Sequence, residues 1–181
     1  NPDSLKSYIS KMVSFGTRNT LSDIKSKTKG IGAARNWVVI KFNQFAKQSD
    51  GKLTAFLDTT TFQSDGKRID KAVSLGNAVA FLKGTDPDDK RIFLIGGHLD
   101  SRVTDVMNRT SKAPGANDDG SGVSAVIEAS RILSRSSFPA SIIFIAFSGE
   151  EQSLLGSKVL AEKIKKENEK NSPAFGYPQS Y

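Results

Sequence analysis

Two apolar segments, each of which leads directly into a cluster of polar residues, constrain the fold of this chain most. Residues 92–95 are all apolar and lead into GGHLDS at residues 96–101, which holds the only histidine among the 181 residues. Residues 142–147 are also apolar and lead into SGEE at residues 148–151. Continuously apolar strands are typical of a sheet that is covered on both faces. The sequence therefore predicts two buried strands with polar residues at their carboxyl ends.

Helical and strand patterns occupy the rest of the chain. Apolar residues recur at helical spacing in four segments, which are 4–15, 30–46, 120–134 and a segment that begins near Gln152. Residues 53–62 and 77–82 have the composition of strands. Alternating strands and helices are typical of α/β proteins. We therefore expect one domain over residues 1–181, built as a mixed, mostly parallel sheet flanked by helices, with a poorly defined tail at residues 162–181.

The composition excludes several classes of site and partner. The chain has no cysteine, so any metal must be bound by histidine and carboxylates. The net charge is +7, but the basic residues are scattered and no aromatic residues are interleaved with them, so we expect no nucleic-acid partner. No apolar run approaches the roughly 20 residues that span a bilayer. Residues 1–4 are polar, so no signal peptide is expected in this chain.

The single histidine, His98, follows a predicted strand, where open α/β sheets bind their ligands. A lone histidine in a loop is more often a structural residue than a ligand. Here Asp100 lies two residues further along an extended stretch, so its side chain projects to the same side as that of His98. A carboxylate in that position can accept the second ring N–H of His98 and make the imidazole a better metal ligand. The pair therefore favours a metal site.

Two adjacent aspartates precede the third predicted helix, within PGANDDGSG at residues 114–122. One of them can be the N-cap of that helix, which is a common role for aspartate. A cap does not explain both Asp118 and Asp119, nor the glycines around them. A carboxylate that shares its two oxygens between two cations holds those cations about 3.5–4 Å apart. This pattern therefore indicates a bridging metal ligand.

The string SGEE at residues 148–151 has a structural and a catalytic interpretation. Ser-x-x-Glu before a helix is the capping-box pattern, and on its own that interpretation is the better one. The adjacent Glu150 and Glu151 also divide naturally into a general base and a metal ligand. Both follow the second buried strand, as His98 follows the first. Together, the three clusters indicate a hydrolytic metal centre.

With these residues identified, the strings GGHLDS, PGANDDGSG and SGEEQSLLGS resemble those of the co-catalytic di-zinc aminopeptidases, a family that includes secreted bacterial leucyl aminopeptidases. The resemblance is specific from about residue 92 to residue 157, and it implies a zinc-peptidase αβα sandwich. It implies that His98 binds one zinc ion, that Glu151 binds the other, and that Asp118 bridges both. It also implies that Glu150 is the general base and that Asp100 orients His98.

The same resemblance implies an activity and a location. It identifies a zinc-dependent exopeptidase that releases N-terminal amino acids from peptide substrates, with a metal-bridging hydroxide as the nucleophile and Glu150 as the base. It implies a secreted or periplasmic protein. It also implies that the peptide bond between Asp118 and Asp119 is cis.

The chain departs from the family at two of the five metal ligands that the resemblance implies. The fourth ligand is an aspartate that ends a later strand, but residues 165–172 contain no aspartate and no apolar strand. The fifth is a second histidine, and this chain has one histidine. We therefore expect an N-terminal portion of a longer catalytic domain, inactive or impaired alone. The alternatives are a non-catalytic binding domain on this fold, or a single-zinc relative such as a carboxypeptidase or glutaminyl cyclase.

Overall fold

The computed structural model describes residues 1–169. Its helices and strands are α1 (Pro2–Ser14), α2 (Gly30–Ala46), β1 (Leu53–Phe62), β2 (Val73–Leu82), β3 (Ile92–His98), α3 (Ser121–Leu133), β4 (Ser141–Phe147) and α4 (Leu155–Glu169). An irregular turn, Ala116–Gly120, stands directly before α3. None of the described helices is long and apolar enough to cross a membrane. The sequence also predicts a loop at residues 173–181, which lie outside the described residues.

The strands form one sheet in the order β1-β2-β4-β3. β3 and β4 are parallel, with Ile92 opposite Ser141 and His98 opposite Phe147. The β1–β2 and β2–β4 pairs are antiparallel. The sheet is mixed as predicted, but over residues 1–169 the parallel arrangement is confined to β3 and β4. Because these two strands end in register, the polar residues that follow them start at the same edge of the sheet.

Helices cover both faces of the sheet, which confirms the predicted three-layer architecture. On one face, α1, α2 and α3 share a large apolar core whose buried members include Met12, Ala34, Val38, Phe42, Val123, Ile127 and Phe144. On the other face, Leu160 of α4 packs against Val79, Ile143 and Ile145. Successive residues of a strand point to opposite faces. A continuously apolar β4 can therefore supply both cores.

The prediction of two fully covered strands is correct for β4 and wrong for β3. Residues 143–146 of β4 are completely buried, whereas Phe93 and Leu94 of β3 are 54% and 46% exposed. β4 lies between β2 and β3, but β3 is the last strand of the described sheet and pairs with β4 alone. The burial of an apolar strand depends on its neighbours as well as on its own sequence.

The last helix begins at Leu155 rather than near Gln152. Ser153 and Leu154 have φ angles of 79° and 64°, in the left-handed region, so the chain cannot be helical there. Helical spacing from Gln152 predicts Leu154 on the buried side of the helix, but Leu154 is 48% exposed. The helix also continues to Glu169, through residues that were expected to be a poorly defined tail. Residues 148–154 consequently form a loop at the edge of the sheet.

The core on the α1–α3 face can be tested with a substitution at Ile127 of α3, which is completely buried. Replacing Ile127 with alanine is expected to lower the free energy of unfolding by about 2–5 kcal/mol, because it removes buried methyl groups and leaves a cavity. Ile40→Ala is the matched control, since Ile40 lies on α2 and is 54% exposed. Urea denaturation of both variants measures the difference, and equal losses would contradict the assignment of the core.

Candidate metal centre

The loops that follow β3 and β4 are joined at their first residues. The N–H of Leu99 donates to the carbonyl of Phe147 at 2.6 Å, so strand pairing continues to the start of both loops. The side chain of Asn77, on β2, holds the second loop at both ends. Its Oδ1 accepts from the N–H of Ser148 at 2.9 Å, and its Nδ2 donates to the carbonyl of Gly156 at 3.1 Å. The two polar clusters predicted at strand ends are therefore neighbours in the fold.

The pair of His98 and Asp118 is the centre of this site. Nε2 of His98 lies 2.9 Å from Oδ1 of Asp118, although the two residues come from different elements. The imidazole is mostly buried, with 17% of the side chain exposed, whereas the Asp118 side chain is 79% exposed. The carboxylate of Asp118 therefore faces both the imidazole and solvent, as a ligand of an incoming ion must.

The adjacent Asp119 has a different role from Asp118. Its Oδ1 accepts from the N–H of Gly122 in the first turn of α3, and its Oδ2 accepts from the N–H of His98, both at 2.9 Å. A Cβ atom at Gly122 would lie 2.2 Å from Oδ1, so this close approach requires glycine. The peptide bond between the two aspartates is cis, as the family resemblance implies. The N-cap position of α3 is Gly120, so neither aspartate is the N-cap. Asp119 nevertheless binds an N–H of the first turn of α3, and Asp118 is left available to the site.

Asp100 is completely buried and connects three parts of the site. Its carboxylate accepts from the Thr20 hydroxyl at 3.0 Å and from the backbone N–H groups of Glu150 and Glu151 at 3.2 and 3.0 Å. Burial raises the pKa of Asp100 to about 6, although the hydrogen bonds from Glu151 and Thr20 lower it. Nδ1 of His98 is closer to the Asp100 backbone carbonyl, at 3.1 Å, than to its carboxylate, at 3.8 Å. The sequence analysis expects the Asp100 carboxylate to contact His98. The structure shows that the backbone carbonyl of Asp100 makes the closer contact.

Glu151 is held by two arginines. Nε of Arg102 donates to Oε2 of Glu151 at 2.6 Å, and Arg68 donates to the Glu151 backbone carbonyl at 2.7 Å. The capping-box interpretation is wrong, because the Ser148 hydroxyl donates to the carbonyl of Gly76 at 2.6 Å and the Glu151 carboxylate pairs with Arg102. This ion pair engages one carboxylate oxygen, Oε2, so Oε1 is the oxygen with which Glu151 can bind a metal ion.

The three predicted metal ligands are only partly brought together. Among residues 1–169, no three side chains of histidine, cysteine, aspartate or glutamate stand close enough to share one metal ion. The donors fit zinc by their chemistry, since zinc binds imidazole nitrogen and carboxylate oxygen, and two ligands of a tetrahedral zinc ion lie about 3.3 Å apart. The His98–Asp118 separation of 2.9 Å is close to that value. The assignment of all three residues as ligands stays a prediction.

A cavity of about 430 Å³ opens beside His98. Its polar lining includes His98, Asp119 and Glu150, and its apolar lining includes Leu94, Phe147 and Leu154. Burial lowers the pKa of His98, but the negative charges of Asp100, Glu150, Asp119 and Asp118 outweigh burial and raise it. The cavity therefore opens onto an imidazole surrounded by carboxylates, an environment that attracts cations. The catalytic role of Glu150 also stays a prediction.

The sequence analysis did not identify several residues that build the site. Thr20 binds Asp100, and Arg102 and Arg68 bind Glu151. Arg18 lies completely buried behind the loops that carry His98 and Asp118. None of them belongs to a motif with a known chemical role. The one available signal was the position of Arg102 directly after GGHLDS.

Known proteins resemble this chain over the segments that form the site. Residues 77–175 match the profile of peptidase family M28. A probable zinc metalloprotease of Pyrenophora teres f. teres is 42% identical over 163 residues, which are 90% of this chain and 33% of that protein. A probable zinc metalloprotease of Pyricularia oryzae is 43% identical over 162 residues, which are 90% of this chain and 32% of that protein. The chain thus spans about a third of the length of these curated relatives.

Solved structures share the fold. The LapA aminopeptidase of Legionella pneumophila superposes with a TM-score of 0.68 at 25% identity, over 96% of this chain and 39% of that chain. The glutaminyl cyclase of Fimbriiglobus ruber superposes with a TM-score of 0.72 at 19% identity, over 94% of this chain and 57% of that chain, which shows the fold alone. The M28 profile covers more than half of the chain, including His98, Asp118 and Glu151. The chain therefore belongs to peptidase family M28.

Proposed function

We propose that this protein is a zinc-dependent aminopeptidase, which releases amino acids from the N-terminus of peptides. In this proposal, the chain supplies the general base and part of the metal-ligand set. The observation that carries the proposal is the position of His98, paired with Asp118, beside a cavity that Glu150 also lines. Membership of family M28 and the similarity to proteins named as probable zinc metalloproteases support it.

The ligand roles follow from the donors at the site. His98 and Asp118 would hold one zinc ion, and Glu151 would bind a second ion that Asp118 shares. When bound, zinc polarises the scissile carbonyl and stabilises the negative charge that develops on its oxygen. Asp100 holds the backbone of both glutamates and the ring of His98, so it keeps the ligands and the base in a fixed relation.

Glu150 has the position that a general base requires. Its side chain is half-buried at the cavity that His98 and Asp119 line, and its backbone N–H is fixed by Asp100 at 3.2 Å. The carboxylate would take a proton from the water molecule that attacks the scissile carbonyl. It would then give this proton to the departing amine, which leaves as a neutral group.

The choice of an aminopeptidase within the family rests on the similarity to LapA, which is named an aminopeptidase and is 25% identical to this chain. The glutaminyl cyclase of Fimbriiglobus ruber shares the fold at 19% identity. A test must therefore separate hydrolysis at a free N-terminus from cyclisation of an N-terminal glutamine, and both from a binding domain without activity.

The test uses the complete protein, expressed with its natural flanking sequence. It is expected to hydrolyse leucine p-nitroanilide, to lose this activity to background with 1,10-phenanthroline, and to recover it with added zinc. The N-acetylated anilide should not be cleaved, because an aminopeptidase requires a free amine. Equal cleavage of both anilides would exclude an aminopeptidase. Cyclisation of glutaminyl peptides without hydrolysis would favour the cyclase, and a protein that binds no zinc would favour the binding domain.

A further inference from the structure

Arg18 has the largest completely buried side chain among the described residues, and it lies directly behind the proposed metal centre. Its guanidinium donates to the backbone carbonyls of Leu99 at 2.7 Å, Pro114 at 2.7 Å, Gly115 at 2.9 Å and Met12 at 3.2 Å. A buried charge is costly unless its hydrogen bonds are satisfied. Here four such bonds satisfy it, and they come from three separate segments of the chain.

The acceptors of Arg18 lie at the two loops that hold the proposed ligands. Leu99 directly follows His98. Pro114 and Gly115 precede the turn that carries Asp118, and the Gly115 carbonyl also accepts from the N–H of Gly120 at 3.0 Å, which closes that turn. The guanidinium therefore binds the backbone beside one ligand and the base of the turn that carries the other.

Ser101 strengthens the same connection through the backbone. Its hydroxyl accepts from the Arg18 N–H at 3.2 Å and donates to the carbonyl of Ala113 at 2.7 Å. The Ser101 N–H donates to the Arg18 carbonyl at 3.4 Å. Both the side chain and the backbone of Arg18 thus link the loop after His98 to the segment before Asp118.

The positive charge of Arg18 lies in a part of the fold that is rich in carboxylates. Burial lowers the pKa of Arg18 to about 10, while the charges of Asp100, Asp119 and Asp118 raise it. The guanidinium is therefore protonated at neutral pH, and its positive charge interacts favourably with these three carboxylates. A lysine would keep the charge, but it lacks the planar fork that reaches several carbonyls at once.

We propose that Arg18 is a positioning residue of the metal centre, whose guanidinium sets the distance between His98 and Asp118. This inference rests on the proposed function, because the distance between the two side chains matters only if they bind the same ion. It adds a residue that lies outside every motif of the site and about eighty positions from its nearest ligand in the sequence.

Arg35 provides a matched control. It is also buried, with 7% of its surface exposed, and burial lowers its pKa as it does that of Arg18. Its side chain donates to the carbonyl of Ser74 at 2.8 Å, which belongs to β2 and not to a loop of the site. Arg18→Lys and Arg35→Lys therefore make the same chemical change in two buried places, and only the first touches the ligand loops.

The experiment compares the two variants in the complete protein with its natural flanking sequence. Zinc affinity is measured by competition with a chromophoric chelator, the ligand geometry by the visible absorption of the cobalt(II)-substituted protein, and stability by urea denaturation. Arg18→Lys is expected to weaken zinc binding by about 10–100-fold, the usual effect of losing an outer-shell partner, and to change the cobalt spectrum. Arg35→Lys should leave both unchanged, whatever stability it loses.

Ser101→Ala extends the test if Arg18→Lys does not fold. It removes the hydroxyl that links the Arg18 backbone to Ala113, and it is expected to weaken zinc binding by about 5-fold, the equivalent of one hydrogen bond. If the unsubstituted protein binds zinc and the foldable variants at Arg18 and Ser101 bind it equally well with the same cobalt spectrum, the inference is wrong while the proposed function stands. If the unsubstituted protein binds no zinc, both fail together.

Discussion

A protein with Glu150→Gln is expected to hydrolyse leucine p-nitroanilide with kcat lowered by about 10²–10⁴-fold, with its zinc content unchanged. Glutamine keeps the size and shape of the side chain at the cavity beside His98, but its amide cannot take a proton from the attacking water. The backbone contact with Asp100, at 3.2 Å, does not involve the side chain and should persist. Steady-state kinetics, together with metal analysis of the same preparation, measure the effect.

Glu162→Gln is the control for this substitution. It makes the same chemical change at an exposed position of α4, so kcat should equal that of the unsubstituted protein. An unchanged kcat in Glu150→Gln would show that another group transfers the proton. A loss of zinc from Glu150→Gln would instead place Glu150 among the metal ligands.

A protein with Asp118→Asn is expected to bind zinc far more weakly, by more than the roughly 10–100-fold that the loss of an outer-shell partner costs. Asparagine keeps the shape of the side chain but loses the negative charge that would balance the cation. Because the Asp118 side chain is 79% exposed, the free energy of unfolding of the metal-free protein should change little. Competition with a chromophoric chelator measures affinity, and urea denaturation measures stability.

Asp105→Asn serves as the control for the loss of charge. Asp105 is exposed in the loop after β3, and its carboxylate accepts from the N–H of Met107 at 3.0 Å, within its own turn. The variant has the same net charge as Asp118→Asn, so any general electrostatic effect appears in both. Equal zinc affinities of the two variants would exclude Asp118 as a ligand.

The sequence predicted burial correctly where burial depends on the spacing of residues within a single element. The apolar spacing within residues 120–134 predicts that Val123 and Ile127 face the sheet, and this pattern depends on the turn of the helix alone. Both residues are buried. The apolar segments of β3 and β4 look alike in the sequence, but their burial differs because, in the sheet formed by residues 1–169, β4 has a strand on each side and β3 has one. A strand pattern shows which residues can be buried, and the neighbouring elements decide which of them are.

The proposed metal centre likewise has features that the sequence identified and features that depend on the tertiary structure. Residue type and motif identified His98 and the acidic residues as candidates, because each cluster alone has a structural interpretation but the three clusters together indicate a metal centre. The two adjacent aspartates are chemically identical, and no local signal distinguishes them. The N–H groups of His98 and Gly122 both donate to the carboxylate of Asp119, whereas the carboxylate of Asp118 faces the imidazole.

The sequence by itself determined the fold class, the apolar faces of most elements and the residue types that are available for metal chemistry. Periodicity and motifs are properties of consecutive residues, so they can be read without the fold. Only the tertiary structure decided that Glu151 pairs with Arg102 and that Arg18 lies buried between the two ligand loops. Each of these contacts joins residues that are far apart in the chain. Their formation depends on the distances between whole elements, which packing sets and which no local pattern contains.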